Sequence, residues 1–302
     1  MAIKELKLDL LAKTKDPQFQ VRRNMLSKIL EGELTATTKG RGMEFTDYRE
    51  YMYGDDASQI DWPASLRAKK TLVREYEEYK NFNIFMLMDV SNSMLFSSTD
   101  KLKCEYAAEL VFSIIYAIVN SGNKIGLGMF TDKLVTKKVP QQGTRSYYRM
   151  LQDLTNPENY GGKFDLRKAL TQTRALLNDK SLIIIVSDFI GLDEKWKNYI
   201  RMMTQNFDIL GIMVRDPRDR EMPKNAGQYL VEDPYTGEKL YIDAKDYAKI
   251  YKKRVQKQEQ ELVAGFRTAK AGLVPISTDQ DFMTPLIRFI RLREKLLFKT
   301  QK

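Results

Sequence analysis

The chain has 302 residues, 43% hydrophobic and 30% charged, with a net charge of +10 at pH 7 and a sequence pI near 9.3. It contains no histidine and a single cysteine, which excludes imidazole-ligated zinc, histidine triads, histidine general bases, thiolate metal sites and any internal disulfide. No apolar stretch reaches the length of a membrane span and positions 1–11 lack a leader pattern, so the expectation is a cytoplasmic protein without a membrane segment.

Positions 1 to about 80 are polar and turn-rich, with short helical patches expected at 3–13 and 18–30. They read as an N-terminal module, and residues 81–302 as the main domain. Gly54-Asp55-Asp56 with Asp61 forms an acidic cluster. Asp and Gly are turn residues, and Arg49, Arg67 and Arg74 stand near as salt partners, so a structural role is expected rather than a nuclease-like metal site.

A regular alternation follows. An apolar strand is expected at 83–88, then a helix from about Lys101 to Asn120 with Thr99 or Asp100 as its cap. Leu102, Tyr106, Leu110, Ile114 and Ile118 share one face of that helix, and Cys104 inside it reads as an inert buried thiol. Next come a strand at Ile125–Phe130 and a helix around Ser146–Leu154. Gly161-Gly162 then breaks the chain before a helix at Asp165–Leu177. Ser181–Asp188 is a β-branched run suited to a parallel strand buried on both faces.

A helix at 194–205 and a strand at Phe207–Val214 continue the series. Gln228–Val231 and Lys239–Ile242 flank the turn sequence Asp233-Pro234-Tyr235-Thr236-Gly237, so a β-hairpin insertion is expected within about 216–243. A long amphipathic helix at 244–270, a strand at Leu273–Ile276 and a last helix opened by Thr284-Pro285 complete the chain. Repeated β-α units imply an α/β fold with a mostly parallel sheet and right-handed crossovers.

Two acids end apolar strands: Asp89 and Asp188. Asp89-Val90-Ser91-Asn92-Ser93 places a carboxylate and two hydroxyls two residues apart where a core strand gives way to a loop. Ligands bind outside the carboxyl ends of strands in open α/β sheets, and such an oxygen set suits a hard cation such as Mg²⁺.

These residues resemble the metal-ion-dependent adhesion site of von Willebrand A-like domains. The first loop is Asp89 to Met94, the second the Gly-Gly before Asp165-Leu166, and the third Ser187-Asp188-Phe189. The flanking motifs narrow the resemblance: Gly40-Arg41-Gly42, Asp47-Tyr48-Arg49-Glu50-Tyr51, Gly54-Asp55-Asp56, Ile60-Asp61-Trp62, Val73 to Glu78, Asp216 to Pro223, Glu232 to Glu238, and Ser277 to Leu286. Together they resemble the family called "domain of unknown function 58", over about residues 20–295. The resemblance implies a non-enzymatic adaptor that partners a MoxR-type AAA+ ATPase and a client protein. It also implies a partial metal site of Asp89, Ser91, Ser93 and Asp188 with Mg²⁺ or another divalent cation as the candidate cofactor.

The sequence departs from that pattern at the second loop. A threonine hydroxyl is expected after Gly-Gly, and Lys163 or Phe164 stands there; Thr155 is displaced. A lysine charge about 4 Å from a divalent ion costs on the order of several kcal/mol even at an effective dielectric near 20. One expectation is therefore that Lys163 reaches Asp89 or Asp188 and replaces the metal. Two alternatives come from other classes. An aspartyl-phosphate phosphatase would use Asp89, Thr131, Lys163 and Asp188 in that order, but Ser91 stands where its second acid is needed. A basic nucleic-acid surface is the other, and the dispersed, acid-interleaved lysines argue against it.

Overall fold

The structure, a computed structural model, describes residues 6–8, 10, 20, 44–77, 83–177, 181–223, 227–289 and 291. The helical patches expected at 3–13 and 18–30 fall almost wholly outside these residues. The first unit within the described residues is small. Strands β1 (Glu44–Glu50) and β2 (Leu72–Glu77) pair antiparallel around a short helix, α1 (Trp62–Ala68). Sequence reading finds neither strand, because charged residues interrupt the period-2 alternation that marks one.

The acidic cluster holds this unit together. Asp61 caps α1 by accepting the Ala64 N–H at 3.0 Å, and it also takes the Arg74 guanidinium at 2.8 Å and the Tyr48 hydroxyl at 3.0 Å. Asp55 receives Arg49 through both oxygens, at 2.5 and 2.7 Å. That guanidinium and the Met52 N–H hold its pKa down to about 2. Asp56 caps the next turn through the Ser58 N–H. Arg67 takes no part and bonds the Pro63 carbonyl instead.

The main body is one six-stranded sheet. In chain order it comprises β3 (Asn83–Asp89), α2 (Lys103–Asn120), β4 (Lys124–Phe130), β5 (Leu134–Gln141), α3 (Thr144–Thr155), α4 (Leu166–Leu176), β6 (Leu182–Ser187), α5 (Trp196–Met203), β7 (Asp208–Arg215), α6 (Pro217–Arg220), β8 (Gln228–Glu232), β9 (Lys239–Asp243), α7 (Ala244–Thr268) and β10 (Gly272–Ser277). The order across the sheet is β10-β7-β6-β3-β4-β5, parallel except for β5, while β8 and β9 form a separate hairpin. This is the α/β arrangement with a mostly parallel sheet expected from the sequence.

Period-2 alternation along β3 divides the core. Ile84, Met86 and Met88 face α2 and α3, whereas Phe85 and Leu87 face the layer of α4, α5 and α7. The Phe85 ring lies against β4 where that strand has no side chains: a Cβ added at Gly128 would stand 2.8 Å from Phe85 Cζ. Gly128→Ala is expected to lower stability by about 1–3 kcal/mol through overpacking. Thermal unfolding checks this, and an unchanged midpoint would contradict it.

Three local expectations need correction. Strand β5 is absent from the sequence reading, since Lys137, Lys138 and Pro140 suit only an edge. Helix α2 starts at Lys103, two residues late, and neither Thr99 nor Asp100 caps it. Glu105 reaches back to the Leu102 N–H at 2.9 Å instead. The last helix runs over 283–289, so Thr284 and Pro285 lie inside its first turn.

Candidate functional site

Adjacent placement of β3 and β6 puts Asp89 and Asp188 side by side at the carboxyl edge of the sheet. Both are fully buried, as is Ser91, and Ser93 is 3% exposed. The Gly161-Gly162 loop docks onto the first loop through three bonds, and a fourth ties the first loop to the β8–β9 turn. Asn92 N donates to the Gly162 carbonyl at 2.9 Å, Gly162 N to Asn92 Oδ1 at 2.8 Å, Gly161 N to the Val90 carbonyl at 2.7 Å, and Asn92 Nδ2 reaches the Pro234 carbonyl at 2.9 Å on the far side. Gly162 has φ +129°, and a Cβ there would crowd Thr131 at 3.2 Å, so glycine is required. The three loops read from the sequence thus meet at one place.

Each acid is already engaged. Asp89 Oδ1 accepts the Ser91 N–H at 2.9 Å and Oδ2 the Ser187 hydroxyl at 2.6 Å. Burial, and then the charge of Asp188, push the Asp89 pKa up to about 7 despite those bonds. Asp188 Oδ1 accepts the Ile190 N–H at 2.9 Å, and its Oδ2 lies 2.7 Å from the ammonium of Lys103.

Lys103 is a site residue that sequence reading misses. It opens α2, is 1% exposed, and bridges Asp188 to Asp219 Oδ2 at 2.8 Å. Asp219 is held in turn by the Asp216 N–H at 2.9 Å, and Asp216 by Ser98 and the Arg218 N–H. Burial opposes the ammonium, but Asp188 and Asp219 outweigh it, so the pKa of Lys103 rises above its ordinary value. The signal was faint: a lysine at the start of a helix that is apolar on nearly every side.

Lys163, expected to reach Asp89 or Asp188, is exposed, and it makes no ion pair among the described residues. The tethered cation exists, but it comes from Lys103. Phe164 packs against Phe130, with ring centroids 5.9 Å apart. Thr155 faces outward on α3 and bonds the Leu151 carbonyl. Thr131, just past the end of β4, packs against Gly162.

The two serine hydroxyls are covered by Tyr235, from the turn of the β8–β9 hairpin. Its phenol oxygen stands 2.9 Å from Ser93 Oγ, 3.2 Å from Ser91 Oγ and 3.4 Å from the Ile190 carbonyl. Burial and the charges of Asp188 and Asp89 raise its pKa well above the ordinary value, so it is a neutral phenol. The donor set in this arrangement does not fit a divalent cation. Asp188 is neutralised by an ammonium, the hydroxyls face a neutral phenol, and lysine or phenylalanine stands where the second loop would supply an oxygen. Among the described residues no three histidine, cysteine or carboxylate groups converge on one point.

The chain is similar to several known proteins. The family described as "Protein of unknown function DUF58" matches residues 47–261, a narrower span than the sequence motifs suggested. An uncharacterized protein of Mycobacterium tuberculosis, Rv1480, is 25% identical over 280 residues, covering 90% of this chain and 86% of its own length. Among solved structures, the conserved hypothetical protein BatB from Bacteroides thetaiotaomicron superposes with a TM-score of 0.46 at 14% identity, covering 70% of this chain and 98% of its own. A von Willebrand factor type A protein from Catenulispora acidiphila gives 0.43 at 12% identity, covering 75% and 45%. No described helix is long and apolar enough to cross a membrane. With the family matched across most of the chain and the three loops gathered at the edge of its sheet, this chain belongs to the family of unknown function DUF58.

Proposed function

We propose that the protein is a non-enzymatic adaptor that binds a MoxR-type AAA+ ATPase and presents a client to it, using the carboxyl edge of the sheet as its recognition site. The observation that supports binding over catalysis is the commitment of the acids. Both oxygens of Asp89 accept hydrogen bonds, Asp188 is tied to Lys103, and the serines face each other and a phenol rather than a base. A nucleophile needs an adjacent base or a lowered pKa, and Asp89 is shifted the other way. The ATPase as partner rests on the family resemblance alone.

The test is capture of a purified MoxR-type ATPase on the immobilised full-length chain, with ATP, with ADP and without nucleotide. Retention in at least one state is expected, and no retention in any state would overturn the reading. Hydrolysis of p-nitrophenyl phosphate that disappears in Asp89→Asn would favour the phosphatase instead.

A further inference from the structure

The β8–β9 hairpin lies over the site. Strand β8 is mostly exposed, and Ile242 is the only buried side chain described in either strand. Beneath the hairpin a cavity of about 430 Å³ separates it from the body, lined in part by Phe96, Ile190, Met222, Leu230, Ile242 and Tyr251. Two groups of contacts close the gap at the turn. One is the phenol of Tyr235 on Ser91, Ser93 and the Ile190 carbonyl; the other is Asn92 Nδ2 on the Pro234 carbonyl.

The turn is built to present that tyrosine. Asp233 Oδ1 accepts the N–H groups of Tyr235 and Thr236, both at 2.8 Å, which fixes Tyr235 at the tip before it meets the body. On the receiving side Gly191, at φ +89°, leaves room for the ring: a Cβ there would stand 3.2 Å from Tyr235 Cε2.

We infer that Tyr235 is a latch: the hairpin closes the serine site in the isolated chain, and a partner reaches Ser91 and Ser93 only when Tyr235 withdraws. This rests on the carboxyl edge being the recognition site. A mostly exposed strap that spans a cavity opens locally without unfolding the sheet.

The test uses a thiol placed under the latch and needs no partner. Ser93→Cys is labelled with a maleimide in the full chain, with Tyr235 intact and with Tyr235→Ala. Cys104 is buried, and burial pushes its thiol pKa up to about 12, so it reports global unfolding. Labelling at position 93 is expected to be slow with Tyr235 and roughly tenfold faster or more with Tyr235→Ala, in line with losing one or two hydrogen bonds. If Cys104 also reacts in that variant, Asp233→Ala replaces it, since this exposed change loosens the tip alone, and the same acceleration is expected. Equal rates with and without the latch would overturn the inference, as would fast labelling with Tyr235 in place. An ATPase that fails to bind while labelling accelerates would count against the adaptor reading and leave the latch standing.

Discussion

Replacing Lys103 with methionine is expected to destabilise the protein by about 3–5 kcal/mol, since it leaves two buried carboxylates without their shared cation. Asp188 is fully buried and Asp219 nearly so, and neither has a described lysine or arginine other than Lys103 within ion-pair distance. For a chain of this size the change corresponds to a fall in Tm of roughly 10 °C. The methionine matches the lysine stem in volume, so packing is nearly conserved and charge is the variable. Adding Asp188→Asn and Asp219→Asn to Lys103→Met is expected to recover much of the loss, because removing every member of a buried ionic group costs far less than removing one. Circular dichroism melts of the two variants give the answer. A lysine-to-methionine variant as stable as wild type would show that the ammonium is not the site's cation.

Asp89→Asn is expected to stabilise the protein at alkaline pH and to change little in acid. In the native state Asp89 keeps its proton up to about pH 7, whereas an unperturbed aspartate releases it near 3.8. Between those values the folded chain binds the extra proton, so this group's contribution to stability falls as pH rises through the window and stays low above it. The displacement corresponds to at most about 4 kcal/mol. Asparagine keeps an acceptor for the Ser91 N–H and offers an amide to Ser187, so the hydrogen bonds survive while the charge does not. Urea unfolding of both proteins at pH 4 to 8 gives the difference directly, with other titrating groups cancelling. A difference that does not grow with pH would contradict the buried, charge-coupled environment assigned to Asp89.

The central sheet was legible because its strands are continuous apolar runs. Phe85 to Met88 and Leu182 to Val186 have no polar interruption, and burial on both faces requires that. The edge strands β1, β2 and β5 were not legible, since edges tolerate lysine, glutamate and proline. Asp89, Ser91, Ser93 and Asp188 were legible because strand ends in a parallel sheet are where ligand-facing loops begin. Lys103 and Tyr235 were not, for a different reason. Lys103 meets Asp188 across 85 residues of chain, and Tyr235 meets Ser93 across 142. No local pattern encodes a lysine that turns inward from a helix start, or a turn tyrosine that folds back over a site. Lys163 stands beside the glycines, yet the chain directs that side chain outward.

The claim that ties these observations together is that the site's positive charge is Lys103 rather than a divalent metal. Isothermal titration with Mn²⁺ and Mg²⁺, wild type beside Asp89→Ala, tests it most directly. The account predicts no site-specific heat in the wild type at micromolar metal, and indistinguishable traces for the two proteins. Micromolar binding in the wild type that vanishes in Asp89→Ala would contradict it, by showing that a cation enters among Asp89, Ser91, Ser93 and Asp188 in spite of Lys103 and Tyr235.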